Sequence, residues 1–271
     1  MITGYSNTIS VTTLAPSLLL DLYPSAAAAY SVRKLRTAYT GSAIRVRRSS
    51  DNTEQDIGFS SGNLDTTALT SFCGSGNGFV TTWYDQSGNG RNGVQTTAAN
   101  QPQIVSSGSV LNVNSKPSIS FDGVTDILNL TLFNISNYSH FSVMTKASTI
   151  TTAISLGNTG GQSVGVAFEN NWYESAGGTY LSGGYTNNTN QNLFSVIKSG
   201  NTVSDFVFTQ NATTLTGFSG SAFASMDFEY IGARPTLFST ENLQEIVLYN
   251  SAQTSNATGI KSDINTYYGI Y

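Results

Sequence analysis

The chain has 271 residues, only 10% of them charged, with a net charge of −4 and a sequence pI near 4.9. Such a balance excludes broad electrostatic attraction to nucleic acid or to an anionic membrane. Hydrophobic residues at 39%, with 14 Phe and 14 Tyr, exclude a disordered chain. Ser, Thr and Asn supply roughly a third of the sequence, so hydroxyls and amides cover the surface where charges would usually stand. The single cysteine, Cys73, permits no intrachain disulfide. The apolar stretch Leu18-Leu-Leu-Asp21-Leu-Tyr lacks a basic flank and is broken by Asp21, so it reads neither as a leader nor as a membrane span.

In chain order, residues 1–23 read as an N-terminal arm, a docking segment or a first strand, and residues 24–271 as one β-sandwich domain. Pro24 and the alanines Ala26 to Ala29 predict a helix over 24–40, closed by Gly41. Ile44-Arg-Val46-Arg alternates as a strand does. Asp65 predicts the cap of a second helix running through Phe72, with Gly74 as its stop. Strands are expected at 79–84, 118–121, 141–146, 154–156, 163–169, 193–198, 202–209, 228–231 and 243–249, separated by Gly, Asn and Ser clusters. A last helix starts at Thr254 or Ser255 and turns Ile260, Ile264 and Tyr267 to one face. The fold class is therefore all-β: an antiparallel sandwich with a few short peripheral helices.

Four features bear on chemistry. Arg33, Lys34, Arg36, Arg45, Arg47 and Arg48 hold half of all basic residues. They either pair with Asp51, Glu54 and Asp56 or form a site for phosphate or an anionic glycan. Asp85, Ser87 and Asn89 place oxygens at alternate positions before Gly90, as the opening of a calcium loop does, but Thr96 stands where a closing Glu is needed. The other reading is a turn in which Asp85 and Asn89 bond local backbone amides. The only histidine, His140, reads as a hydrogen-bonded residue at a strand end, so no metal site is assigned. Asn171, Trp172, Tyr173 and Glu174 combine aromatic platforms with amide and carboxylate partners, the groups that bind sugars; a core plug is the competing role for Trp172.

Phe121-Asp-Gly123, the run 140–146, the run 192–198, Tyr230-Ile-Gly232 and the run 243–250 follow one another as in concanavalin A-like or laminin G-like sandwiches. The chain resembles these jelly rolls over residues 24–271. Tyr39-Thr-Gly41 with the run 44–51, and Trp83-Tyr-Asp85-Gln-Ser87-Gly-Asn89-Gly90, resemble the catalytic domain of α-L-arabinofuranosidase B. The same block resembles lectin-like proteins of bacteriophages more closely still. That second resemblance implies a virion structural protein, a fibre, spike or capsid-decorating module, made in the bacterial cytoplasm. It would bind bacterial surface glycans, meet other virion proteins through its arm, assemble as a homo-oligomer (a trimer by analogy with fibres), and have no cofactor and no enzymatic activity. The alternatives are a glycoside hydrolase of arabinofuranosidase type and a non-binding scaffold. As a hydrolase, the chain would match Glu169, in Phe168-Glu169-Asn170, to the family's nucleophile region. The family's acid, an Asp after a Gly pair, meets Ile231-Gly232-Ala233-Arg234 here, leaving Asp227, Glu229 or Glu241 to supply the second carboxyl.

Overall fold

The computed structural model describes residues 17–149, 151–161, 163–166, 171–176, 179–184, 186–217, 219–234 and 236–271. Most of the predicted arm, residues 1–16, lies outside them; of the remainder, Leu19 and Leu20 in the one-turn helix Leu19–Leu22 are buried in the core.

The fold is an antiparallel β-sandwich. At its centre runs Thr240–Tyr249, the longest strand described. Its C-terminal half pairs with Ala26–Ser31 and its N-terminal half with Ile119–Asp122. Along its other edge it pairs with Tyr138–Lys146, which continues into Asn192–Lys198 and Phe206–Gln210. The second layer runs from Gly93–Val94 through Leu128–Ile135, Met226–Ile231, Ala153–Gly157, Ser163–Val166 and Asn171–Ala176 to Thr179–Gly184. One aromatic contact joins the layers, Tyr138 against Phe228 in a T-shaped pair at 5.8 Å, and within the second layer Phe228 stacks on Phe133. Such pairs add to the burial of their own surface.

The predicted helix at 24–40 is a strand. Ser25 takes a positive φ of 68°, and all six residues of Ala26–Ser31 are buried. The helix preference of alanine, a few tenths of a kcal/mol per residue, loses to a ladder with the central strand. The second helix forms as expected over Thr66–Cys73, with the Asp65 carboxylate accepting from Ala68 N–H and Gly74 at a φ of 58°. The last helix is Ala257–Tyr268, and it buries Ile260, Ile264 and Tyr268 rather than Tyr267.

One edge of Ala26–Ser31 has the central strand. The opposite edge meets the loop 85–91, whose side chains take the place of a strand. Asp85 Oδ1 accepts from Ala29 N–H, and Asn89 Nδ2 donates to the carbonyls of Ala26 and Ala27. Gln86 donates to the carbonyls of Ser31 and Arg33 and accepts from Leu35 N–H. Arg91 donates to the Ala27 carbonyl. Asp85→Ala removes the acceptor of a buried amide together with the brace of its own loop. Loss of about 3 kcal/mol of stability is expected, read as a lower urea midpoint with an unchanged slope.

Candidate active site

The carboxyl that stands out chemically is Glu241. It lies at the start of the central strand, opposite Phe121 on one side and Lys146 on the other. The hairpin formed by Ala233–Arg234 and Leu237–Phe238 delivers it there. Ser239 N–H closes that hairpin onto the Gly232 carbonyl at 2.9 Å, and Thr240 N–H reaches the Thr152 carbonyl at 3.1 Å. Gly232 has a φ of 82° and packs so close to Phe121 that a Cβ would run into the ring, so no larger residue fits the turn.

Glu241 is 1% exposed. The nearest polar groups are engaged with each other: Ile154 N–H donates to Ser239 Oγ, and that hydroxyl donates to the Ile154 carbonyl. Both carboxyl oxygens are left without a hydrogen-bond partner among the described residues. Burial pushes the acid up to about 8. Glu241 is thus a protonated acid at neutral pH, the state a general acid needs. The Lys146 ammonium is held by Asn187 Oδ1 at 3.0 Å and the Thr149 carbonyl, and burial lowers its pKa.

The other candidate carboxylates sit elsewhere. Asp227 and Glu229 alternate with the buried Met226 and Phe228 and so fall on the opposite face of their strand. Asp227 accepts from Asn134 Nδ2 at 2.7 Å, and Glu229 accepts from both the amide and the hydroxyl of Thr159. Arg234 donates to the Gly161 carbonyl at 2.8 Å. Glu169 lies outside the described residues. Asn171, Trp172, Tyr173 and Glu174 fall within Asn171–Ala176, a strand paired on both sides.

The calcium reading of Asp85, Ser87 and Asn89 gives way to the turn. Asp85 Oδ1 accepts from the amides of Ala29 and Ser87, and Oδ2 from the Ser87 hydroxyl and the Arg91 amide. Four protein donors occupy the lone pairs that a cation would need. His140 is fully buried with Nε2 2.9 Å from Ser155 Oγ, and burial drops its pKa to about 3. It stays neutral as a core residue.

A family model described as the catalytic domain of α-L-arabinofuranosidase B matches residues 21–122. No curated protein sequence matches the chain. Among solved structures, an arabinofuranosidase complexed with arabinofuranosyl-α-1,2-xylobiose superimposes with a TM-score of 0.61 at 15% identity, over 88% of this chain and 62% of that one. A GH54 α-L-arabinofuranosidase soaked with a cyclic sulfate inhibitor gives a TM-score of 0.62 at the same identity and coverage. The chain therefore spans 62% of the length of these proteins, and the likeness shows a shared β-sandwich. These findings overturn the expectation of a non-enzymatic phage fibre, spike or capsid module residing in a virion. They point to the alternative, a glycoside hydrolase, and give no support to a phage origin.

Burial of the Glu241 proton has a consequence for stability. Between the ordinary glutamate value of 4.5 and about 8 the folded chain holds this proton and the unfolded chain releases it. The stabilisation is complete below pH 4.5 and is lost as pH rises toward about 8. In Glu241→Gln, which is neutral throughout, that loss disappears. The urea midpoint of the native chain therefore falls relative to the variant across this interval. Parallel curves would show that Glu241 is ionised in the fold.

Proposed function

We propose that the chain is a retaining glycoside hydrolase of arabinofuranosidase type with Glu241 as its acid and base and Glu169 as its nucleophile. The observation that carries this reading is Glu241, a carboxyl 1% exposed with no hydrogen-bond partner among the described residues, whose acid form burial favours. The stretch expected to carry the family's acid, Ile231-Gly232-Ala233-Arg234, has no carboxyl, and the hairpin that begins at Ala233 returns the chain to Glu241. Val166 pairs with Ala153, next to Thr152, whose carbonyl receives Thr240 N–H.

A retaining hydrolase uses two carboxyls about 5–5.5 Å apart. Glu169 as carboxylate attacks the anomeric carbon while Glu241 gives its proton to the departing glycosidic oxygen. Glu241, now a carboxylate, then takes a proton from water, which displaces Glu169 and restores both groups. Desolvation at Glu241 favours the neutral form and so drives the return of its proton. Trp172 and Glu174, alternate positions of one strand, are the sugar-contacting pair in this reading.

The test is turnover of 4-nitrophenyl α-L-arabinofuranoside by the full chain. Native activity is expected with an alkaline limb near 8, set by Glu241. Glu169→Gln and Glu241→Gln should each lower kcat by about 10²–10⁴-fold. A native chain without turnover overturns the reading; an active Glu241→Gln overturns the assignment of the acid.

A further inference from the structure

The six basic residues between positions 33 and 48 are nearly all committed. Arg33 forks onto Glu245 and reaches Asp263 at 2.7 Å. Arg45 binds Asp56 and Arg48 binds Asp51, as two of the expected acidic partners. Arg47 donates to Gln101 and Asn52, and Arg36 to the Ser87 carbonyl. The ammonium of Lys34 has no oxygen acceptor among the described residues. Lys116 is alike: its ammonium lies 4.1 Å from the centre of the Tyr267 ring and meets no carboxylate among the described residues.

These two lysines line two neighbouring pockets. Lys34 lines one of about 330 Å³ with Tyr39 and Phe59; Lys116 lines one of about 550 Å³ with Tyr267, Asn63 and Asn112. The hairpin pairing Phe59–Ser60 with Asn63–Leu64 separates them, Gly62 lining the first and Asn63 the second. The aromatic walls are fixed in advance. Tyr39 donates to the Ser42 carbonyl at 2.8 Å and meets Phe59 edge-on at 6.3 Å, while Tyr267 donates to Asn63 Oδ1 at 2.7 Å.

We propose that the two pockets form one binding surface for a uronic-acid-bearing glycan. Lys34 and Lys116 take its carboxylates, the ring of Tyr39 backs a sugar face, and the side chain of Asn112 meets its hydroxyls, while Tyr267, with Arg33 and Lys116 over its ring, holds the Lys116 ammonium in place. A polyhydroxylated ligand matches the amide-lined walls. An anionic one matches two ammoniums that no acid neutralises in a chain whose arginines are so widely engaged. Fixed rings and a rigid hairpin lower the ordering cost of binding. The surface uses neither Glu169 nor Glu241 and does not depend on the catalytic reading.

The experiment is fluorescence anisotropy of labelled oligogalacturonate with the full chain, Lys34→Gln, Lys116→Gln and the double variant. Neutral arabinan oligomers and inorganic polyphosphate serve as competitors. Saturable binding is expected, weakened by salt, about fivefold weaker in each single variant and about 25-fold in the double. Arabinan should compete poorly. The proposal is overturned by absence of saturable binding, by a double variant that binds as the native chain does, by arabinan competing as well as the uronate, or by polyphosphate competing equally, which would reduce the site to bare charge.

Discussion

An edge strand buried on both faces is the constraint around which this molecule is arranged. Ala26–Ser31 lies inside the core, yet among the described residues it has a strand on one side only. Its other row of amides and carbonyls must find partners, because a buried backbone group left unpaired costs as much as a lost hydrogen bond. Among the described residues no strand takes that row. The side chains of Asp85, Gln86, Asn89 and Arg91 do, each aimed at backbone rather than at solvent. The arrangement also closes the edge against pairing with another chain, the hazard of any exposed strand.

This gives physical meaning to the most distinctive run in the sequence. The polar, glycine-punctuated segment after Trp83 could belong to a binding loop or a metal loop. Its oxygens and amides are spent on the fold. The family match, residues 21–122, holds both the capped strand and the loop that caps it, and it contains neither Glu169 nor Glu241. Similarity in this block therefore reports how the sandwich is closed. Chemistry has to be argued from carboxyls that lie outside it, since one architecture hosts many activities.

What was legible in the sequence follows from locality. The cap at Asp65 and the stop at Gly74 are decided within a single turn, and the helix between them was placed to within a residue. Most strands of the sandwich show in their β-branched and aromatic runs, whereas Thr179–Gly184 ends in Ser-Gly-Gly and reads as a turn, and Leu128–Ile135 is interrupted by Asn129 and Asn134. Ala26–Ser31 was misjudged because its conformation is imposed by the strand at 240–249, more than two hundred residues away. Tyr268, not Tyr267, enters the core because its hydroxyl reaches the Gln244 carbonyl and Glu245. The state of Glu241 could not be read either. One acidic residue before an apolar strand carries no sign that its neighbours will bond each other and leave it dry.

The central strand also fixes an order of events. Three segments from far apart in the chain, 26–31, 119–122 and 138–146, all wait for 240–249 to lie between or beside them. On a ribosome that strand emerges after the segments it must join, so the sandwich cannot close while the nascent chain is short of Tyr249. Until then the growing polypeptide carries unpaired, apolar β-segments, the species most prone to aggregate. A molecule built around its late strand folds close to all at once, and a product truncated before that strand is left with a core that has no middle.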